Sequence, residues 1–345
     1  MYNSIHIQNF RGFRDLKIDD LRRVNLIAGK NNVGKTSLLD AIAILTGNFD
    51  YYDILKLSVS KMGDTAYSPR ILFHNGDIER QIQIESGRVA VLELVSDGFV
   101  LNTLGISNIL VNGKITDDSL RKEYAIRVQY LKPKDGETFV EARPSQYLVR
   151  RSNTFVPPGI YEYFCSLIYL SVHDDAAGME DDYSTLALKG EDQRILEMVQ
   201  LTDQQIIGLN ILTIGSVSKL HARYKNYQHP LSSLGEGVNR VLAIALGLSK
   251  ASNGVLLIDE IENGLHYSVM QDVWRAIGEA ARQFNVQIFA TTHSMECIIA
   301  AKEAFEGTDD LSVIQMARNK DGDIEALTYD ERMLTTAFNM GLEVR

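Results

Sequence analysis

The stretch Gly29-Lys30-Asn31-Asn32-Val33-Gly34-Lys35-Thr36 follows the pattern of a glycine, four residues, a second glycine, a lysine and a threonine. The apolar run 24–28 precedes it, and residues 37–45 follow with apolar side chains at helical spacing. This order predicts a strand, a loop and a helix, which is the context of a phosphate-binding loop. A glycine-rich structural turn is the alternative, but all four fixed positions are filled and both flanks fit. The stretch therefore predicts a nucleoside triphosphate site.

The chemistry of the loop assigns roles to its fixed positions. The glycines let successive backbone N–H groups face one anion, and the helix that begins near Lys35 adds its positive end. Lys35 is expected on the β- and γ-phosphates, and the Thr36 hydroxyl is expected to hold Mg²⁺. The residues predicted to bind the nucleotide here are Gly29, Asn31, Asn32, Val33, Gly34, Lys35, Thr36 and Ser37.

Composition limits the classes of protein. The 345 residues are 45% apolar and 23% charged, which is typical of a globular chain, and the net charge of −10 argues against an extended basic face for nucleic acid. A local basic patch stays open. Cys165 and Cys297 have no zinc-like spacing and are expected to be buried structural thiols. No stretch reaches the roughly 18 apolar residues of a membrane span, so we expect a cytoplasmic protein without a membrane partner.

The first half of the chain shows strand patterns. Alternating side chains predict a strand at 5–10, a glycine turn at 9–13 and a hairpin partner around Leu16 and Ile18. Arg11, in that turn, is either an exposed hairpin charge or a nucleotide contact. Short strands are predicted beyond it, and their spacing favours an antiparallel β region. They cover residues 82–84, 89–95, 109–111, 124–130 and 146–149.

An anionic partner is most expected at this β region, because basic residues collect there. They are Arg121, Lys122, Lys132, Lys134, Arg143, Arg150 and Arg151.

Pro157-Pro158-Gly159 marks a break that predicts two lobes, 1–156 and 157–345. A buried strand is predicted at 164–170. Residues 186–214 carry apolar side chains at helical spacing, which predicts helices, with Thr202 or Asp203 as the N-cap of the second.

Three motifs follow in the second half. Residues 231–237 place serines and glycines before a helix at 238–249, and this arrangement predicts a second anion site. The buried strand 255–258 delivers Asp259 to the Mg²⁺ shell and Glu260 to the attacking water. The strand 286–291 ends in Thr292-His293-Ser294, where His293 lies beside the predicted phosphate site.

Together these motifs resemble an ABC-type ATPase head of the RecF, SMC and OLD (overcoming lysogenisation defect) group. The resemblance implies an α/β P-loop NTPase fold with a mixed central sheet, an antiparallel β lobe and a helical subdomain. It makes 262–266 the D-loop and His293 the switch histidine, and it puts Arg11 near the nucleotide. The residues that it makes the signature motif are Ser233, Gly235 and Glu236.

The resemblance also implies a dimer. The signature serine of one copy would complete the phosphate site of a second copy, so that two ATP molecules close the pair and hydrolysis opens it. Catalysis would rest on Lys35, Glu260 and His293 together with the opposing Ser233 and Gly235. ATP and Mg²⁺ are the implied cofactors, and the chain itself is the first implied partner.

Departures from the family pattern narrow the type of head. Long coiled-coil arms are absent, and about fifty residues after His293 leave no room for the Toprim domain of an OLD nuclease. The Q-loop glutamine has no clear counterpart, and His74, Asn75 or Gln129 stands in its place. The chain is therefore most similar to free-standing OLD-like ATPases of bacterial anti-phage systems, such as AriA of PARIS. Those work with a separately encoded effector protein.

Three functions stay open from the sequence. The favoured one is an ATPase that dimerises on ATP and gates such an effector. The second is a RecF-like repair ATPase that binds DNA, although the charge does not indicate a nucleic-acid partner. The third is an assembly scaffold that binds ATP with little turnover, against which the intact Glu260 stands.

Overall fold

The computed structural model describes residues 1–46, 72–96, 124–133, 139–149, 165–171, 179–340 and 344. Its strands in chain order are β1 (Ile5–Phe10), β2 (Phe13–Ile18), β3 (Val24–Ala28), β4 (Ile82–Glu85), β5 (Val89–Ser96), β6 (Tyr124–Pro133), β7 (Phe139–Val149), β8 (Leu167–Leu170), β9 (Gly208–Ile214), β10 (Val217–Arg223), β11 (Gln228–Pro230), β12 (Val255–Ile258), β13 (Gln287–Thr292), β14 (Leu311–Arg318) and β15 (Ile324–Tyr329). Its helices are α1 (Lys35–Thr46), α2 (Met179–Leu188), α3 (Asp192–Gln200), α4 (Glu236–Lys250), α5 (Tyr267–Gln283), α6 (Met295–Ala304) and α7 (Glu331–Asn339).

A six-stranded mixed sheet forms the centre, in the order β15-β14-β3-β13-β12-β8. Its strands pair in parallel except at β15, which is antiparallel to β14. Strands β3, β12 and β13 are buried along their whole length, as expected for parallel strands covered on both faces. The phosphate-binding loop, the Asp259-Glu260 pair and His293 follow these strands, so the sheet brings all three motifs to one edge.

The core lies on both faces of this sheet. Leu26 contributes to a cluster with helices α4, α5 and α6, whereas its neighbour Ile27 contributes to a cluster with α1 and the antiparallel strands. This alternation follows from the period of two in a strand. The central sheet is thus the layer that the rest of the molecule covers.

The antiparallel lobe is a second six-stranded sheet, in the order β2-β1-β4-β5-β6-β7. The predicted hairpin of residues 5–18 is confirmed as β1 and β2, and the strands predicted at 82–84, 89–95, 124–130 and 146–149 are confirmed as β4 to β7. The Tyr130 hydroxyl donates to the Ile44 carbonyl oxygen at 2.9 Å, which ties this sheet to α1. The strand predicted at 109–111 lies outside the described residues, as does the break at 157–159.

The prediction of helices across 186–214 is wrong in its second half. Helix α3 ends at Gln200, and residues 208–214 form β9, the edge of a three-stranded sheet with β10 and β11. Thr202 and Asp203 cap no helix: Thr202 Oγ1 donates to the Val199 carbonyl, and the Asp203 carboxylate accepts from the Tyr224 hydroxyl at 2.8 Å. Both side chains stabilise the turn that leaves α3.

Other sequence predictions concern the strand before α2, the helix after 231–237 and the cysteines. Strand β8 and helix α4 confirm the first two. Cys165 and Cys297 are both free thiols, and Cys297 is buried while Cys165 is partly exposed.

Strand β3, from the predicted N-terminal lobe, lies in the central sheet with strands of the second half, and the division at 156 and 157 stays a prediction. Every helix in the described ranges is too short or too polar to cross a bilayer.

Candidate active site

The phosphate-binding loop joins the end of β3 to the first residue of α1. Gly29 and Gly34 have φ angles of 155° and 88°. A Cβ atom on Gly29 would lie 2.7 Å from the Met316 carbonyl oxygen, and one on Gly34 would lie 2.8 Å from the Phe13 ring. Only glycine fits both positions, because a side chain would meet strain and a steric clash at once. The loop is therefore held in a tight curve by its neighbours.

Lys35 reaches back over this loop. Its Nζ donates to the carbonyl oxygens of Gly29 at 2.7 Å and Lys30 at 3.0 Å. Burial lowers the pKa of Lys35 from 10.5, and the carboxylates of Asp259, Glu260 and Glu262 offset part of this effect. These three acids are thus close enough to act on the ammonium, as expected where strand ends converge.

Thr36 and Asp259 meet across the sheet edge. The Thr36 hydroxyl donates to an Asp259 carboxylate oxygen at 3.2 Å, and Thr291 Oγ1 donates to the other oxygen at 2.6 Å. Two oxygens that bind one Mg²⁺ side by side lie about 2.9 Å apart, because octahedral ligands are about 2.1 Å from the ion. Hydroxyl and carboxylate oxygens also suit this ion. The two residues therefore fit Mg²⁺, with further ligand positions left to phosphate and water.

Glu260 follows in an unusual backbone conformation, with φ of 48°. Its N–H donates to Thr291 Oγ1 at 2.8 Å. Arg240, on helix α4, donates to the carbonyl oxygens of Asp259, Glu260 and Ser171. A left-handed non-glycine residue persists only where its surroundings hold it. Thr291 and Arg240 are what hold this turn, and the sequence patterns did not reveal either role.

His293 lies at the end of β13 and is engaged by Glu262, from the predicted D-loop. One Glu262 carboxylate oxygen accepts from the His293 backbone N–H at 2.9 Å and lies 3.2 Å from Nδ1 of its ring. The ring is half exposed, whereas the Glu262 side chain is 11% exposed. The next residue, Ser294, caps helix α6. His293 is therefore held beside the edge where the other motifs meet.

The predicted signature residues have mostly local contacts. Ser233 Oγ donates to the Pro230 carbonyl oxygen at 2.7 Å, and Gly235 rather than a serine is the N-cap of α4. The backbone next to them touches the D-loop, since a Cβ on Gly237 would lie 2.7 Å from the Gly264 carbonyl oxygen. Within the described residues, no hydrogen bond joins 233–236 to the phosphate-binding loop.

Arg11 is not an exposed hairpin charge, so that alternative is wrong. Its guanidinium forms an ion pair with the buried Asp40 of α1, and its side chain is 17% exposed. His74 Nδ1 lies 3.0 Å from the Arg11 carbonyl oxygen, and Asn75 contacts the His74 ring. Gln129 lies on β6, opposite Val91. A contact of Arg11 with nucleotide, and the choice among the three Q-loop candidates, stay predictions.

Arg318 is a further residue at the loop that sequence reasoning missed. It ends β14, and its guanidinium donates to the carbonyl oxygens of Asn32 at 3.2 Å and Gly322 at 2.8 Å. No sequence motif includes this arginine, because it lies 286 residues after Asn32 in the chain.

A family model described as AAA ATPase domain matches residues 1–146 and 172–298, which is more than half of the chain. The chain belongs to the AAA ATPase domain family. The matched range of this ATPase domain includes the phosphate-binding loop, the signature segment and His293, and it ends before Arg318.

Relatives of this ATPase domain agree with that assignment. It is 24% identical over 340 residues to an ATP/GTP phosphatase of Helicobacter pylori, with 86% of each chain covered. It is 33% identical over 78 residues to the DNA double-strand break repair Rad50 ATPase of Archaeoglobus fulgidus, which is 22% of this chain and 9% of that protein. It is 40% identical over 50 residues to the DNA replication and repair protein RecF of Heliobacterium modesticaldum, covering 14% and 13%.

Solved structures give the fold. An SMC head bound to the C-winged helix domain of ScpA aligns with a TM-score of 0.52 at 13% identity, over 98% of this chain and 99% of that one. An SMC head with an extended coiled coil, bound to the C-terminal domain of ScpA derived from Pyrococcus furiosus, aligns with a TM-score of 0.52 at 10% identity, over 98% of each. The predicted fold class, a P-loop ATPase head with a mixed central sheet and an antiparallel β lobe, is confirmed.

Proposed function

We propose that this chain binds ATP with Mg²⁺ and hydrolyses it at a site that a second copy of the chain completes. The observation that carries the proposal is the meeting of Thr36 and Asp259, 3.2 Å apart, beside the lysine of the phosphate-binding loop. This combination suits a triphosphate and its metal, and the membership of an ATPase family supports it.

The chain's own residues divide the work of hydrolysis. Lys35 offsets the negative charge of the β- and γ-phosphates, and the N–H groups of the loop cradle them. Thr36 and Asp259 hold Mg²⁺, which neutralises charge on the phosphates when it is bound. Glu260 orients the attacking water and accepts its proton, since an ionised carboxylate is a competent base. His293, held by Glu262, would contact the γ-phosphate and stabilise the charge that develops there.

The second copy contributes Ser233, Gly235 and Glu236. Two observations support this part of the proposal. These residues have local partners and no hydrogen bond to the phosphate-binding loop of their own chain within the described residues. Ser233 and Gly235 also precede helix α4, which begins at Glu236 and whose first N–H groups suit an anion. A partner's phosphate would supply that anion.

Mixing two inactive variants tests the shared site. In Lys35→Ala the phosphate-binding loop is disabled, and in Ser233→Arg the signature is blocked. A mixed dimer has one site made of the intact loop of one chain and the intact signature of the other. Random mixing should therefore restore about a quarter of the wild-type phosphate release. A mixture with no more activity than its components would overturn the shared site, and Lys225→Ala, an exposed lysine, is the control for Lys35.

We further propose that ATP-driven closure gates a separately encoded effector protein in anti-phage defence. The support is the resemblance to free-standing OLD-like ATPases such as AriA of PARIS. A tagged chain should retain the product of the neighbouring gene, and ATP should change the retained amount with wild type but not with Lys35→Ala. Equal retention under all conditions would contradict gating.

A RecF-like role in DNA repair is the second candidate, favoured by the similarity to segments of Rad50 and RecF. The net charge of −10 opposes it. DNA binding that weakens with salt and stimulates ATP turnover would support it. Undetectable phosphate release in all conditions would instead leave an ATP-dependent assembly scaffold.

A further inference from the structure

The β14–β15 hairpin forms the back wall of the phosphate-binding loop. The Met316 carbonyl oxygen lies against Gly29, and Ile324 Cδ1 lies 2.9 Å from the Cβ position of Gly12 and 3.4 Å from that of Gly34. Arg14 adds an ion pair with Asp323, with 3.6 Å between Nη1 and Oδ2. The loop therefore depends on a hairpin that follows the family match in the chain.

The turn between β14 and β15 is stabilised by several hydrogen bonds. The Asn319 side-chain oxygen accepts from the N–H groups of Asp321 and Asp323, both at 3.0 Å. Asn319 N–H donates to the Asp323 carbonyl oxygen at 2.9 Å, and Gly322, with φ of 88°, donates to the Asn319 carbonyl oxygen. These bonds fix the end of β14. They hold the backbone of Arg318 in a fixed position, from which its side chain extends to the loop.

Arg318 uses the two arms of its guanidinium on two carbonyls. One arm binds Gly322, within its own hairpin, and the other binds Asn32, within the loop. Asn32 has φ of 64°, a left-handed conformation that costs free energy in any residue other than glycine. The guanidinium thus stabilises the loop at its strained residue.

The held carbonyl also determines the direction of the next N–H group. In a trans peptide the C=O and the N–H point to opposite sides. A carbonyl of Asn32 that points to Arg318 therefore turns the N–H of Val33 away from the hairpin. That N–H is the first of the series that leads to Lys35, in the part of the loop where phosphate is expected.

We propose that Arg318 is a positioning residue for phosphate binding, which acts by orienting the Asn32–Val33 peptide. The inference rests on the proposed function as an ATP-binding site. The contacts of Arg318 in the structure are to the loop and to its own hairpin. Its loss should weaken the binding of any ligand that presents phosphates to the loop, whatever base the ligand carries. Turnover at saturation should change little, since the water-activating residues are untouched.

Titration calorimetry with ATP, ADP and inorganic tripolyphosphate tests this on the full chain. Arg318→Ala should weaken the affinity for all three by a similar factor of about ten, the size expected for a lost charge-assisted hydrogen bond. Arg318→Lys should recover part of the affinity, because an ammonium can still reach one carbonyl. Lys320→Ala, an exposed residue of the same hairpin, should match wild type. The steady-state KM should rise while kcat stays within about twofold.

Distinct outcomes would overturn the inference. Equal affinities of Arg318→Ala and wild type would do so, as would lost affinity for ATP and ADP with unchanged tripolyphosphate binding, which would move the residue's role to the base or ribose. If Arg318→Ala does not fold, Arg318→Lys tests the inference instead. Wild-type affinity and an unchanged KM in that variant would show that binding to both carbonyl oxygens at once is not needed, and would overturn the inference. A wild type that binds none of the three ligands would instead refute the proposed function itself.

Discussion

The hydroxyl of Thr36 lies 3.2 Å from the carboxylate of Asp259, although 223 positions separate the two residues in the chain. The contact exists because β3 and β12 end at the same edge of the central sheet, with β13 between them. Thr291, at the end of β13, donates to the same carboxylate. Three strand ends therefore build this corner of the site.

Asp259→Asn should remove most of the Mg²⁺-dependent activity, because the amide keeps the shape but loses the charge that the ion requires. We expect phosphate release to fall by about a hundredfold or more. ATP affinity should also become insensitive to Mg²⁺. Titration of ATP with and without the ion measures this. Asp272→Asn, an exposed residue of α5, is the matched control, and an unchanged Mg²⁺ effect in Asp259→Asn would contradict the assignment.

Glu260→Gln should separate ATP binding from hydrolysis. The amide cannot accept the proton of the attacking water, so we expect turnover to fall by about a hundredfold to ten-thousandfold. ATP should then accumulate in a closed dimer, which light scattering detects. Glu279→Gln, exposed on α5, should behave as wild type. A Glu260→Gln chain that binds ATP and remains a monomer would argue against ATP-dependent pairing.

The lowered pKa of Lys35 predicts how stability changes in alkaline solution. Burial disfavours the ammonium in the folded state, so its pKa lies below the ordinary 10.5. Over the range between the folded pKa and 10.5, the unfolded chain binds more protons, and the free energy of unfolding rises with pH. The difference in that free energy between wild type and Lys35→Met should therefore increase as pH rises toward 10.5. Denaturation at a series of alkaline pH values measures it, and a constant difference would be inconsistent with a desolvated ammonium.

Gly235 and Gly237 should respond differently to the same substitution. Gly235 has φ of −60°, and among the described residues beyond its two chain neighbours no heavy atom lies within 4 Å of the position that a Cβ would take there. Gly235→Ala should therefore meet no clash and cost at most about 1 kcal/mol, the size of an N-cap exchange. Gly237→Ala would press on the Gly264 carbonyl oxygen and should cost about 1–3 kcal/mol. Chemical denaturation of the two variants decides. Equal stabilities would mean that the signature segment and the D-loop do not touch as described.

Arg240→Met should impair catalysis more than nucleotide binding. It removes the donors to the carbonyls of Asp259 and Glu260 and leaves the phosphate-binding loop untouched. The stability cost should be about 1–2 kcal/mol, because partly buried acceptors lose a charged donor. We expect kcat to fall while the ATP dissociation constant stays within about twofold of wild type. Arg275→Met, exposed on α5, is the control, and a proportional loss of affinity would contradict the role at Glu260.

The parts of the site that the sequence could predict are those encoded in short, continuous motifs. Residues 24–45 form a strand, a loop and a helix whose signals are contiguous, and the buried strand before Asp259 has the same property. Parallel pairing then makes the strand ends converge, which general rules for such sheets anticipate. This is why Lys35, Thr36, Asp259, Glu260 and His293 could be grouped before the structure was known.

Features set by distant partners were missed. Residues 208–214 carry apolar side chains at helical spacing, yet Gly215 turns the chain with φ of 65° and β10 supplies the hydrogen bonds of a hairpin. Tertiary pairing overrode the local pattern. Arg240 and Arg318 bind backbone carbonyl oxygens. Because every residue has such an oxygen, the sequence does not indicate which ones an arginine will bind. Glu262 was recognised as part of the D-loop, but not as the partner of His293.

The position of β3 has a consequence for biosynthesis. This strand is made early, yet the Asn25 side chain bonds to the Ile288 carbonyl, which the ribosome adds 263 residues later. At about 5–20 residues per second, the edge that pairs with β13 waits about 13 to 53 seconds, and the edge that pairs with β14 waits longer. An apolar segment with two open edges attracts foreign strands during that delay. We therefore expect folding of the nascent chain to require that those five residues are shielded until β13 and β14 have emerged.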